Sequence, residues 1–137
     1  LVLVGFMPYH GGRTLSVLNW IKSLKELETW EVEVVVPGHG AVGGKQLLQQ
    51  QREFLEVLVL EVRRLIKAGK PVEEAVKQVQ LPNYAQWQNY KQWLGENVRL
   101  VYQELSKQDA DKTSSAAGGA SMAGFKEIEK ADSYRDK

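Results

Sequence analysis

The sequence contains no cysteine, which excludes disulfide bonds, thiolate zinc sites and a cysteine nucleophile within the chain. It also has no excess of either charge, since 18 basic and 17 acidic residues leave a formal net charge of +1. This balance gives no electrostatic reason to expect nucleic acid or an anionic membrane as a partner. Histidine is scarce, with two in 137 residues, so candidates for an imidazole metal ligand are few.

Long apolar runs are absent as well. A membrane-spanning helix needs about 20 apolar residues, and the strongest helical run here, 57–60, is bounded by Glu56 and Glu61. The N-terminal segment has no charged leader and no small-residue cleavage site, so it does not resemble a signal peptide. It opens directly in a strand-like run, which indicates a fragment or a processed product. We expect a soluble protein, and the compartment stays unassigned.

The spacing of apolar residues predicts a strand, a helix and a second strand in the first 44 residues. Residues 1–7 form a short apolar run that suits a strand buried on both faces. An amphipathic helix follows over residues 15–27, and the valine-rich stretch 32–36 suits a second strand. This order implies a right-handed crossover and a parallel or mixed sheet. We therefore expect an α/β (α+β) fold.

Three further helices are predicted after Gly44, over residues 45–68, 71–79 and 84–105. From residue 106 the composition shifts to alanine, glycine, serine and aspartate without periodicity. That shift predicts a flexible tail over residues 106–137. The expected organisation is a domain over residues 1–105, with a strand–helix–strand part (1–44) and a helical part (45–105), followed by the tail.

The most informative segment is 34–40, with the sequence VVVPGHG. We expect His39 to lie at the carboxyl end of a buried strand. A histidine between two glycines at such a place is well placed to bind a metal. The carboxyl ends of strands are where an α/β sheet opens its site, and histidine is a common zinc ligand. The glycines leave the imidazole of His39 unobstructed. In isolation the pattern is weak, because a histidine in a glycine-rich turn more often caps or hydrogen-bonds.

Together with its surroundings, this motif resembles the C-terminal half of hydrolases with the metallo-β-lactamase fold, most closely their glyoxalase II-like branch. The resemblance covers about residues 1–105. The segments that carry it are VVVPGHG at 34–40, GG at 43–44, QREFL at 51–55, NWI at 19–21, KAGK at 67–70, VEEA at 72–75 and NVR at 97–99.

The resemblance implies half of an αββα sandwich with a helical C-terminal extension, one or two zinc ions (iron or manganese in some members) and a small-molecule substrate. In such enzymes the metal activates a water molecule as the nucleophile. His39 matches the last histidine ligand of the family. The His-x-His-x-Asp-His motif and the middle histidine are absent, and the bridging aspartate would fall just before Leu1. His10 matches no family ligand. We expect its side chain to face solvent or, alternatively, to lie in a substrate-binding loop.

Two hypotheses follow, because one imidazole cannot hold a catalytic zinc, which needs about three protein ligands. The first is the C-terminal part of a metal-dependent hydrolase, inactive until a missing N-terminal half or a partner chain supplies the other ligands. The alternative is a non-catalytic structural or interaction subunit that keeps the half-fold and docks on a partner. It predicts an oligomer or a subunit, with residues 1–6 and 32–36 near the interface.

Aromatic residues recur near the start of the last predicted helix. The spacing of Trp87, Tyr90 and Trp93 favours a packing stripe over a carbohydrate site. The family resemblance places this helix near the mouth of the site. It therefore makes Tyr84 and Trp87, together with His10, candidates for a substrate pocket.

Overall fold

The computed structural model of the protein describes residues 2, 3, 5, 7 and 15–117. Helices account for 67% of them, and no sheet is present in that part of the chain. The expected α/β (α+β) fold with half of an αββα sandwich is therefore wrong. The chain divides into two compact units, Leu1–Lys107 and Gln108–Lys137. In the second unit the described residues continue a helix through Ala117.

The second predicted strand is reduced to a single antiparallel bridge. Val35 exchanges two backbone hydrogen bonds with Gly43, with N–O distances of 2.7 and 3.1 Å. Pro37 follows two residues later and has no N–H to donate to a ladder, and the turn between the two paired residues contains Gly38 and Gly40. The valine run therefore has strand propensity but forms only one residue pair.

The N-terminal run is likewise held by isolated contacts. Leu3 and His39 form a parallel bridge, and the N–H of Gly38 donates to the carbonyl of Val2 at 2.8 Å. The parallel direction that the sequence predicted is present at this one pair. One bridged pair is not a sheet, so the predicted parallel or mixed sheet is wrong for the residues described.

Helix α1 (Val17–Glu28) confirms the predicted amphipathic helix. Ser16 is its N-cap, and the Ser16 hydroxyl accepts from the N–H of Asn19 at 3.0 Å. The carboxylate of Glu104 accepts from the Ser16 hydroxyl and, at 2.8 Å, from the N–H of Val17. A carboxylate at the start of a helix satisfies otherwise unpaired N–H groups and complements the helix dipole. Glu104 thus fixes the beginning of α1 from a distant part of the chain.

Replacement of Glu104 by alanine is expected to lower the free energy of unfolding by about 1–2 kcal/mol, because the N–H of Val17 and the hydroxyl of Ser16 lose a charged acceptor. Urea denaturation followed by circular dichroism measures the change. The matched control is Gln103→Ala, since Gln103 is an exposed neighbour on the same helix. Equal unfolding midpoints for the Glu104 and Gln103 variants would contradict this role.

The remaining helices confirm the predicted elements and correct their ends. Helix α2 spans Gln46–Lys67, helix α3 spans Val72–Gln78, a short 3₁₀ helix covers Pro82–Tyr84 and helix α4 spans Tyr90–Ala117. Gly69, with φ +69°, follows the end of α2, where glycine adopts the left-handed conformation without strain. Helix α4 begins later than predicted, because the 3₁₀ helix and a left-handed residue at Asn89 (φ 64°) precede it.

Helix α4 also continues past Gly95 and past residue 106. The chain divides between Lys107 and Gln108, close to the boundary predicted at residue 106. Residues 106–117 are helical, although their composition predicted a flexible tail. Residues 118–137, the rest of the predicted tail, lie outside the described part of the chain. No helix in the described part is long and apolar enough to cross a membrane.

Helix α2 forms the centre of the first unit. Its buried apolar residues are Leu47, Leu48, Phe54, Leu55, Leu58, Val59, Val62 and Leu65. Apolar residues of α1, α3 and α4 complete the same core. Removal of these side chains from water is the main stabilising contribution, at roughly 1.5–3 kcal/mol for each large side chain. The helical part of the chain is thus organised around one strongly amphipathic helix.

Ion pairs connect α1 with α2. Arg52 donates to both carboxylate oxygens of Glu28, at 2.6 and 3.1 Å, and to Glu56 at 2.8 Å. Lys25 contacts Glu56 at 3.0 Å. The hydrogen bond to Glu28 raises the pKa of the Arg52 guanidinium above its ordinary value. This partly buried network fixes the register of the two helices along each other.

Candidate functional site

His39 lies in the turn between the two residues of the Val35–Gly43 bridge. The side chain is exposed, and the parallel bridge with Leu3 holds its backbone. Gly40 has φ +103°, a conformation that is strained for a residue with a side chain. His39 thus lies at the surface, on a turn held by these two bridges.

The segment that leads to His39 is not the buried strand that the sequence predicted. Val35 is buried, but Val34 is 62% exposed and Val36 is 75% exposed. Successive side chains of an extended segment point to opposite faces, and only the face of Val35 meets the helices. The prediction of a buried strand is therefore wrong, because no described layer of structure covers the second face.

The family resemblance implies a metal site, and the described residues do not complete one. Among them, no group of three or more histidine, cysteine, aspartate or glutamate side chains is arranged to hold a metal ion. His10 lies outside the described residues. The described part of the chain thus offers one imidazole in a suitable setting, whereas a catalytic zinc site takes about three protein ligands. It does not fit a complete zinc site by itself.

Tyr84 and Trp87, the other predicted pocket residues, lie together but pack into the core. Their ring centroids are 4.9 Å apart, and both contact the ring of Phe54, at 5.2 and 5.1 Å. Burial of the phenol raises the pKa of Tyr84, and the negative charge of Glu53 adds to the effect. The contacts that Tyr84 makes with Phe54 and Trp87 are edge-to-face, whereas Phe54 and Trp87 are tilted by 38°. Aromatic contacts of this kind stabilise a core. The structure therefore brings these two residues to each other and to Phe54.

The aromatic residues at 87, 90 and 93, at and just before the start of α4, have a structural role in the described part of the chain. The hydroxyl of Tyr90 accepts from the buried N–H of Leu81 at 2.7 Å. Trp87 and Trp93 are partly buried and pack against the same core. This agrees with the packing interpretation of the 87–90–93 spacing.

A shallow cavity of about 300 Å³ adjoins this stripe. Its lining residues are Ala85, Trp87, Asn89, Tyr90, Lys91 and Gln92. The lining holds no carboxylate and no imidazole. Sequence analysis did not identify Lys91 and Asn89 as neighbours of Trp87, because the turn that joins them depends on the left-handed backbone of Asn89.

Gln51 is one of two fully buried polar residues in the described part of the chain, with Asn97, whose burial sequence analysis did not predict. It is fully buried, and its Oε1 accepts from the N–H of Leu3 at 2.9 Å. Its Nε2 has no hydrogen-bond partner among the described residues. A glutamine within the apolar stripe of α2, three residues before Phe54, was the available signal. Gln51 connects the N-terminal run to the central helix.

Neither a protein-family model nor a curated protein matches this sequence. The likeness to glyoxalase II-like hydrolases therefore depends only on the motif residues around His39 and on the short segments that accompany it. The assignment of His39 as a metal ligand stays a prediction.

Proposed function

We propose that this chain contributes His39 as one metal ligand to a metal-dependent hydrolase whose other ligands lie outside the described residues. Zinc is the proposed metal, because imidazole is among its commonest ligands. Iron or manganese would also accept an imidazole. The observation that carries the proposal is the exposed His39 side chain on a turn held by the bridges of Val35 and Leu3. A side chain on this turn can contact a metal outside the core while the turn stays folded.

The isolated chain is not expected to hydrolyse a substrate. A catalytic zinc keeps about three protein ligands and one open position for the nucleophilic water. Since the described residues supply one, the remaining ligands belong to another polypeptide segment or a partner chain. The chemistry of that segment also decides which small molecule is the substrate.

The replacement His39→Ala is expected to lower metal affinity at least about tenfold. Loss of a ligand should cost no less than the roughly 10–100-fold found for residues that only orient ligands. The protein is purified without chelators, in complex with the polypeptides that bind it. Elemental analysis then measures the metal content per chain. His10→Ala is the matched control, because it removes the chain's other histidine.

We expect the wild type and the His10→Ala variant to contain metal. The His39→Ala variant should be depleted of it. A wild-type preparation without metal would contradict the proposal. Equal metal content in all three proteins would contradict it as well, because the ligands would then lie elsewhere. Circular dichroism of each variant establishes that the fold is retained.

A second candidate function is that of a non-catalytic interaction subunit. It is favoured by the exposure of Val34, Val36 and Val42, at 62%, 75% and 61%. Neighbouring exposed apolar side chains are typical of surfaces that bind another protein. The two candidates differ in metal dependence, since only the hydrolase proposal requires that assembly of the complex create a zinc site.

A further inference from the structure

The feature that neither proposal uses is a glutamine in the middle of an apolar helix face. Gln51 lies on α2 among buried leucines and Phe54, and it is fully buried itself. Burial removes its amide from water, which costs free energy wherever a polar atom has no partner. Its Nε2 has no hydrogen-bond partner among the described residues. An apolar side chain of similar size would avoid that cost, so the contribution of Gln51 lies in its other amide atom, Oε1.

Oε1 of Gln51 holds one edge of the N-terminal run. It accepts from the N–H of Leu3 at 2.9 Å, and both residues are buried. The two residues are 48 positions apart in the chain, so this bond joins the run directly to the central helix. No other hydrogen bond between described residues joins Val2 or Leu3 to a helix.

The other edge of the same run contacts the turn of His39. The carbonyl of Val2 accepts from the N–H of Gly38 at 2.8 Å, and Leu3 forms the parallel bridge with His39. Successive residues of an extended segment direct their backbone groups to opposite edges. The carbonyl of Val2 therefore faces the turn, whereas the N–H of Leu3 faces α2. The run thus lies between Gln51 on one side and the His39 turn on the other.

We propose that Gln51 is a positioning residue for His39. It fixes the N-terminal run against α2, and the run in turn fixes the turn that carries the imidazole. The bridge between Val35 and Gly43 closes this turn at its base, but each of the two residues is four positions away from His39. Without the run, the middle of the turn could sample the many backbone conformations that its two flanking glycines permit.

A positioning role differs from a purely structural one in what it stabilises. A structural glutamine would stabilise the whole fold, whereas a positioning residue acts mainly on the local order of the run and the turn. The inference rests on the proposed function only for its consequence at a metal. An imidazole whose turn is already fixed loses less conformational freedom when it becomes a ligand, which favours binding.

The replacement Gln51→Met separates the two roles, because methionine fills a similar volume but offers only a weak acceptor. Amide hydrogen exchange of the full chain, followed residue by residue with NMR, is the measurement. We expect the N–H groups of Leu3 and Gly38 to exchange at least about tenfold faster, the factor that corresponds to loss of roughly one hydrogen bond. The N–H groups of Val35 and Gly43 should keep their wild-type rates, since they bond to each other's residue and not to the run.

Rescue by a conservative variant distinguishes the acceptor from the volume of the side chain. In Gln51→Glu at acidic pH, the introduced carboxyl is neutral and its carbonyl oxygen still accepts from the N–H of Leu3. This variant should therefore protect Leu3 and Gly38 like the wild type, whereas Gln51→Met stays fast at the same pH. Gln50→Met, on the exposed side of α2, is the matched control and should exchange like the wild type.

The urea midpoint of Gln51→Met should stay close to that of the wild type. Loss of the acceptor leaves the N–H of Leu3 unpaired, but the same change removes the unpartnered Nε2. These two effects on stability have opposite signs. The variant is thus expected to lose order in the run and the turn while the helical core keeps its stability.

Two exchange results would overturn the inference. Unchanged exchange at Gly38 in Gln51→Met would show that the turn keeps its order without the glutamine. An increase by the same factor at Val35 and Gly43 would show that Gln51 stabilises the whole fold and not the turn in particular.

The metal test is separate from the exchange test, so the two can fail independently. A wild-type complex without metal contradicts the proposed function, and the exchange rates still decide whether Gln51 fixes the turn. In a complex that contains metal, Gln51→Met should weaken metal binding by roughly 10–100-fold, the range for residues that orient ligands. Wild-type metal affinity in Gln51→Met, next to a depleted His39→Ala variant, would overturn the positioning role.

Discussion

Phe54→Ala is expected to lower the free energy of unfolding by about 3–5 kcal/mol, the range for a large aromatic removed from a core. Phe54 is fully buried on α2, and its ring contacts the rings of Tyr84 and Trp87. The alanine variant loses the transfer energy of the ring, leaves a cavity and removes two aromatic contacts worth about 0.5–1.5 kcal/mol each. Domains of this size have a total stability of about 5–15 kcal/mol, so this is a large part of it.

Urea denaturation at neutral pH measures the loss. The control is Leu60→Ala, in which a half-exposed leucine of the same helix is truncated. Its effect should stay within about 0.5 kcal/mol. A second measurement is the absorbance titration of tyrosine. Burial raises the pKa of Tyr84, so water that enters beside the truncated Phe54 should lower that pKa towards its ordinary value. An unfolding change below about 1 kcal/mol would contradict a central role for Phe54.

Gln51→Glu is expected to destabilise the protein by about 3 kcal/mol or more at neutral pH. The two side chains have nearly the same shape, and the carboxylate can still accept from the N–H of Leu3. However, residue 51 is fully buried, and the neighbouring Arg52 already pairs with Glu28 and Glu56. A buried carboxylate without a cationic partner shifts its pKa upwards by up to roughly 3–5 units, and each unit corresponds to about 1.36 kcal/mol.

The pH dependence of this variant has a definite sign. The introduced carboxyl has a higher pKa in the folded protein than in the unfolded chain, since burial favours its neutral form. The variant therefore approaches wild-type stability below the unfolded pKa and loses stability as the pH rises through the folded pKa. Comparison with the wild type at each pH cancels the titration of other groups. Among these, Glu73 has a pKa lowered by its hydrogen bond from Arg99, and it stabilises both proteins less as the pH falls.

Urea denaturation of both proteins at acidic and neutral pH measures the difference. Gln50→Glu is the matched control, because Gln50 precedes Gln51 on α2 but is exposed. It should show no comparable loss at neutral pH. A Gln51→Glu variant as stable as Gln50→Glu at both pH values would mean that residue 51 is accessible to water.

The helices illustrate what local sequence can predict. The stripe from Leu47 to Leu65 predicted α2 to within one or two residues. Helix hydrogen bonds join residues four apart, so spacing and caps within the segment contain most of the required information. The ends of α4 were predicted less well, because Asn89 and the 3₁₀ helix before it depend on contacts with other segments.

At the candidate site, too, the local sequence predicted some features and distant residues decided the others. The glycines around His39 predicted a constrained turn with an unobstructed imidazole, and the structure has an exposed His39 on such a turn. Whether a metal binds there is decided by groups distant in sequence, and the described residues contain no set of ligands for it. The pairing of Gln51 with the N–H of Leu3 was also beyond sequence analysis, since 48 positions separate the two residues.

Residue spacing and composition were enough to predict the four helices, the glycine-flanked turn of His39 and the absence of cysteine chemistry. The isolated bridges in place of the two predicted strands, and the exposure of Val34 and Val36, arise instead from tertiary packing. The physical reason is that a helix satisfies its backbone within one segment, whereas a strand needs a partner for its hydrogen bonds and a covering layer for each apolar face. Strand propensity in residues 32–36 therefore predicted a strand of a sheet, whereas the tertiary structure forms only the Val35–Gly43 bridge there.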